Sequence, residues 1–387
     1  MNWDLISAAV FYIIVAILIY RYRHKFEIVS KIFIVHKTKK GLNLMKRLAE
    51  YRTFWKIFST LAIPVVVLGM IIVGQSLLTN LIKIFQGVGG QGVGLLIPGV
   101  KLPGSSFFVP FWPGIIAIAV LAVVHEFSHG IVAAMEGIRL KSTGFGFLTI
   151  LPLAFVELDE KQMEKKSKLT RLRILSAGPF ANIVLWAILS IVILFAFAPV
   201  LSNIVVNDGL NITVVEKGMP AELAGIKVGD VVTSLNNHSV KTINDFYASI
   251  KDIKPGDNIT FTMSDNSSYI VQTTSNPSDS SRPYIGIVLT QVTHISNFAK
   301  EKYGIGVDIF MWIFEVVKWV ALINLLVGLM NCIPVWAIDG GRVIYDLFGY
   351  VTENKKVLAV ILHLFSSFYL ALIVLNFIGP AIVHFIY

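Results

Sequence analysis

Six long apolar runs, at residues 5–20, 57–78, 113–135, 174–201, 305–330 and 357–378, alternate with charged or Gly- and Pro-rich segments. A helix needs roughly 20 apolar residues to cross the hydrocarbon core of a bilayer, so these runs predict six transmembrane helices, the first of them short. Pro64 and Gly69 fall inside the second run, where neighbouring helices satisfy the backbone groups such residues free. The first run lacks a basic segment before it and a small-residue cleavage site after it, and is expected to stay in the protein. Two other apolar stretches lack a helical pattern. Residues 144–156, broken by Gly and Pro, predict a short strand pair. Residues 87–112 are so dense in turn-forming Gly and Pro that they predict a hairpin at the membrane face, either a gate or a plain connection.

From residue 202 to about 293 the pattern changes, with frequent Asn, Asp, Ser and Thr and apolar runs of strand length. Residues 209–215 and 228–236 read as strands and 220–226 as a short helix, so a soluble insert of about ninety residues interrupts the membrane part. The expected division is 1–82 (two accessory helices and a basic loop), 83–112 (Gly/Pro-rich loop), 113–201 (third and fourth helices), 202–295 (the insert) and 296–387 (last two helices). The fold class is thus a polytopic α-helical membrane protein with an inserted α+β domain.

Charge gives the helices a direction. The chain carries 33 Lys and Arg against 24 Asp and Glu, concentrated in two inter-helix segments, 21–56 and 137–173. Positive loops stay in the cytoplasm, which places both termini and the insert on the extracytoplasmic side. The basic residues form no stripe with interleaved aromatics, so nucleic acid is not an expected partner; the lipid bilayer is. The four N-x-[ST] sequons, at Asn211, Asn237, Asn258 and Asn266, all lie in the insert and agree with that placement. The composition, 55% hydrophobic and 15% charged, fits a membrane protein. Cys332 is the sole cysteine, which excludes disulfide scaffolds and Cys-rich zinc sites.

The third run holds His125-Glu-Phe-Ser-His129. Two His spaced four apart share one helical face and can hold a Zn²⁺ ion, with Glu126 beside them to take a proton from water. Ionisable groups in a bilayer-length helix are expensive and call for a function, either a metal site or an ion pathway. The fifth run ends at Pro334, and Gly340-Gly341 predict a tight turn that leaves Asp339 on irregular backbone at membrane depth. A catalytic zinc takes three protein ligands, which makes Asp339 a candidate third; a turn aspartate capping the next helix is the alternative. Asn182, in Ser176-Ala-Gly-Pro-Phe-Ala-Asn182, is a buried amide that either donates to a peptide carbonyl or joins helices. Glu315 and Lys318 are expected to pair at the interface, and His363 to be a packed residue and not a fourth ligand.

These pieces together resemble the site-2 protease family of intramembrane zinc metalloproteases. The resemblance rests on the His125–His129 motif, the segment ending in Asn182 and the stretch from Asn331 to Asp339-Gly-Gly, in that order around a soluble insert. It implies a zinc metalloendopeptidase that binds one Zn²⁺ per chain through His125, His129 and Asp339. Glu126 would be the general base, and Asn182 and Asn331 would bind substrate or the oxyanion. The implied substrates are transmembrane segments of single-span proteins, cut near the cytoplasmic side of a multi-pass protein. The insert resembles a protease-associated PDZ domain, with Gly209, Leu210, Asn211 and Ile212 as the implied peptide-binding strand.

Overall fold

The structure is a computed structural model that describes residues 3–29, 33–86, 97–100, 108–148, 151–276 and 279–386. The Gly/Pro-rich hairpin expected at 87–112 lies for the most part outside the described residues. In chain order come helix α1 (Trp3–Arg21), strands β1 (Glu27–Val29) and β2 (Phe33–Thr38), then helices α2 (Leu42–Ala49), α3 (Arg52–Phe85) and α4 (Phe111–Met135). Strands β3 (Leu140–Leu148) and β4 (Leu151–Leu158) lead to helices α5 (Glu160–Glu164), α6 (Lys168–Val192) and, after a π-helical turn, α7 (Ala198–Ile204). Next are β5 (Val205–Val215), α8 (Pro220–Leu223), β6 (Val231–Leu235), β7 (His238–Ser239), α9 (Ile243–Ile250), β8 (Asn258–Met263) and β9 (Ser268–Gln272). The chain closes with β10 (Thr274–Asn276), β11 (Asp279–Tyr284), β12 (Ile287–Ile295), α10 (Asn297–Tyr303), α11 (Ile305–Cys332), α12 (Asp339–Phe348) and α13 (Lys355–Ile386).

Two compact units result, Met1–Ile193 with Trp312–Tyr387, and Leu194–Met311. Among the described residues, six helices are long and apolar enough to cross a membrane.

In the first unit, α2, α4, α6, α12 and the end of α11 close around one core, in which Met45, Val132, Ala177, Cys332 and Val343 are fully buried. Small residues make this packing possible: a Cβ at Gly130 would lie 2.4 Å from Met45 Sδ. Arg171 on α6 joins α12 through Asp346, with Nε 3.0 Å from both carboxylate oxygens. The strand pair extends beyond the expected 144–156 and belongs to an antiparallel sheet of order β1-β2-β3-β4. Its first two strands arise from the basic segment expected to be a loop. Phe33-Ile-Val35 is an aromatic and β-branched run, but its short length and the charges around it hide the strand in the sequence. Among the described residues β4 is an edge strand, as is β1 at the other end.

Where a tight turn at Gly340-Gly341 was expected, both glycines lie inside the first turn of α12. They are required by close approach, since a Cβ at Gly340 would lie 2.2 Å from the Cys332 carbonyl and one at Gly341 2.2 Å from that of Val335. The irregular backbone is instead 333–338, pinned to α13 by Ser366, whose Oγ accepts from the Trp336 N–H at 3.0 Å and donates to the Pro334 carbonyl at 3.3 Å.

The second unit is built on an antiparallel sheet of order β12-β5-β6-β8-β9, with β7 beside β6. Leu210, Ile212, Val232, Phe261 and Val271 form its core. Helix α9 starts with a capping box: Thr242 Oγ1 accepts from the Asp245 N–H and Asp245 Oδ2 accepts from the Thr242 N–H.

Candidate metal centre

Helix α4 delivers His125 and His129 from successive turns of one face, and the first residue of α12 delivers Asp339. His125 Nε2 lies 3.0 Å and His129 Nε2 3.2 Å from Asp339 Oδ2, and the two Nε2 atoms are 3.2 Å apart. The three side chains are only 12%, 11% and 18% exposed. Ligands bound to zinc at about 2.0–2.1 Å in tetrahedral geometry stand roughly 3.3 Å apart, so the observed triangle fits that ion closely. The ring of His129 is already oriented for it. Its Nδ1–H donates to the Ile174 carbonyl at 2.7 Å, which leaves the Nε2 lone pair for a metal. Gly178 on α6 forms the wall behind both rings; a Cβ there would come within 2.3 Å of His129 Nε2.

Glu126 lies next to the triangle on α4. Its Oε2 accepts from the Val156 N–H on β4 at 3.1 Å, which fixes the carboxylate to the edge strand. Asn182 is fully buried and meets His125 Nδ1 at 3.0 Å through Nδ2. Asn331 turns its Nδ2 onto the Val327 carbonyl of its own helix at 3.0 Å, and no hydrogen bond to the His–Asp triangle is made by it among the described residues. His363 is exposed and outside the triangle. Glu315 and Lys318 pair at 2.6 Å, as the spacing predicts.

One expectation is corrected. Gly209, Leu210, Asn211 and Ile212 lie on β5, which is hydrogen-bonded to β12 on one side and to β6 on the other, and Leu210 and Ile212 are fully buried. A strand with both edges paired cannot accept a peptide. Among the described residues the sheet ends on this side at β12, and between it and α9 runs a cavity of about 360 Å³ lined by Ile243, Phe246, Tyr247, Ile250, Ile287 and Leu289. Sequence reading missed this segment. Its signal is Tyr284-Ile-Gly-Ile287, with Gly286 at a φ of +76° ahead of an alternating run.

Residues 113–375, more than half of the chain, match the family model of Peptidase family M50, and the matched stretch contains His125, Glu126, His129 and Asp339. The chain belongs to that family. An uncharacterized protein of Methanocaldococcus jannaschii is 27% identical over 352 residues, covering 89% of this chain and 86% of its own. A putative zinc metalloprotease of Clostridium acetobutylicum is 23% identical over 62% of this chain and 87% of its own. A membrane-bound transcription factor site-2 protease homolog of Arabidopsis thaliana is 30% identical over 127 residues, 33% of this chain and 24% of its own. Among solved structures, the PDZ domain of an SdrC-like protein from Listeria monocytogenes aligns with 21% of this chain and 88% of its own, at 24% identity and a TM-score of 0.20. This member of peptidase family M50, the site-2 protease family, is a zinc metalloendopeptidase and a multi-pass membrane protein.

Proposed function

We propose that the protein cleaves transmembrane segments of single-span membrane proteins at one zinc site formed by His125, His129 and Asp339. The observation that carries this reading is the triangle of two imidazole nitrogens and a carboxylate oxygen, 3.0–3.2 Å on each side, with both histidines on a helix long and apolar enough to cross a membrane. Zinc held by such a set would supply Lewis acidity and lower the pKa of a bound water to about 7. The rest is the work of the chain. Glu126, tied at Oε2 by the Val156 N–H, offers Oε1 to take the proton of the attacking water and return it to the leaving amine. Asn331 remains the candidate for contact with substrate on α11. A helical substrate shields its carbonyls, so it must unwind before it is cut. The free edge of β4, whose Val156 already hydrogen-bonds the base, suits an extended segment added as a further strand.

The charge pattern supports an active site near the cytoplasmic face, with both termini and the Leu194–Met311 unit outside. That unit is read as PDZ-like, with the α9–β12 cavity as its peptide groove, selecting substrates whose outer domain has been trimmed.

The reading is tested by reconstituting the protein with a single-span substrate in proteoliposomes and weighing the products. Cuts inside the apolar segment are expected. Cuts confined to residues outside it, in juxtamembrane or soluble parts, would refute intramembrane cleavage.

A further inference from the structure

A histidine that ligates a metal through Nε2 keeps its remaining proton on Nδ1, and that N–H requires an acceptor. His129 has the Ile174 carbonyl. For His125 the side chain at Nδ1 is Asn182, whose Nδ2 stands 3.0 Å away. With the amide this way round, Nδ2–H donates to Nδ1 and the ring proton is forced onto Nε2, the atom that faces Asp339 at 3.0 Å. The same orientation leaves Asn182 Oδ1 buried with no hydrogen-bond partner. A half-turn of the amide keeps its shape and brings Oδ1 onto the ring N–H instead. The bond to the ring decides between the two orientations.

We propose that Asn182 is the positioning residue of His125: its carbonyl oxygen accepts the Nδ1–H, selects the tautomer and aims the Nε2 lone pair at the metal. The proposal rests on the zinc reading above and moves Asn182 from the substrate to the metal. The surrounding packing is built to hold it there. Asn182 is fully buried, and a Cβ added at Gly328 on α11 would lie 3.2 Å from its Cβ. A role as a mere joint between helices requires no acceptor at this position, and a role as oxyanion donor requires Nδ2 to point at substrate.

The test compares parent protein with Asn182→Leu, Asn182→Ala and Asn182→Asp, purified whole in detergent. Zinc affinity is read by competition with a chromophoric chelator, and ligand geometry by the visible spectrum of the cobalt(II)-substituted protein. Leu and Ala, which offer no acceptor, are expected to weaken zinc about 10–100-fold and to alter the cobalt bands. Asp, which can only accept from Nδ1–H, is expected to restore affinity to at least a third of the parent's and to restore the spectrum. Ala is smaller than Asn and is accommodated if Leu is not. Parent-like zinc affinity and cobalt bands in the Ala or Leu variant would overturn the proposal, whatever happened to cleavage. A parent protein that bound no zinc would instead overturn the metal reading beneath it.

Discussion

Helix α6 passes so close to both imidazoles at Gly178 that a methyl group has no room. A Cβ there would stand 2.3 Å from His129 Nε2, 2.8 Å from its Cε1 and 2.9 Å from His125 Cε1, against an ordinary contact of 3.4 Å or more. In Gly178→Ala something must therefore retreat by about 1.1 Å, the shortfall of the closest contact. The His129 ring cannot swing aside freely, because its Nδ1–H is tied to Ile174 and its side chain is 11% exposed. Zinc–nitrogen bonds of about 2.0–2.1 Å do not survive a shift of that size, so one of three ligands is lost. The expected loss of zinc affinity exceeds the roughly 10–100-fold typical of removing an outer partner, and cleavage falls with it. The cost in folding stability is only about 1–3 kcal/mol, the usual penalty for one excess methyl in a packed core. Zinc content by elemental mass spectrometry, with thermal unfolding alongside, separates the two effects. Gly74→Ala serves as the control: its Cβ would meet Tyr369 Oη at 2.6 Å, which overpacks a helix contact but touches no ligand. It should lose stability and keep zinc. A Gly178→Ala protein with parental zinc affinity and cleavage would refute the placement of the metal between these rings.

Three further outcomes follow from other contacts. Arg171→Met leaves Asp346, 6% exposed, as an unpaired buried charge and should destabilise the first unit by about 3–5 kcal/mol; an unchanged melting temperature would contradict the role given to this pair. Val156→Pro removes the N–H that holds Glu126 Oε2 from an edge strand, where Pro is tolerated, so turnover should fall about 10–100-fold with zinc retained; parental turnover would show that the bond does not orient the base. Ile287→Arg fills the α9–β12 cavity with a charged side chain and should abolish binding of hydrophobic peptides measured by fluorescence anisotropy, with zinc content unaffected; undiminished binding would place the groove elsewhere.

The long apolar helices and the pairing of His125 with His129 were legible in the sequence because each leaves a local mark. A bilayer-length apolar run has no other common use, and His125 and His129 at a spacing of four point the same way on any helix. Asp339 required a longer step, since its partner residues are 210 and 214 positions away. A broken helix at membrane depth, signalled by Pro334 and two glycines, supplied it. The glycines themselves were read as a turn because sequence shows small size but not what lies opposite, here the carbonyls of Cys332 and Val335. The same limit applies to β5. Alternation in 209–215 marks a strand, yet nothing in it tells a central strand from an edge one, and the edge is set by β12 some seventy-five residues on, where Val288 pairs with Val214. Asn182 was recognised as a buried amide with two possible uses; its contact with His125 Nδ1 depends on how α6 lies against α4 and has no sequence signature.

The claim that this protein is a zinc protease acting through Glu126 is tested most directly by assaying parent and Glu126→Gln side by side, with metal content measured on the same samples. Both proteins should carry one zinc per chain, because Glu126 is not a ligand, and the variant should cleave a single-span substrate about 10²–10⁴-fold more slowly than the parent. A zinc-loaded Glu126→Gln protein that cleaves at the parental rate, or a parent that cleaves undiminished after its zinc is removed, would contradict the account.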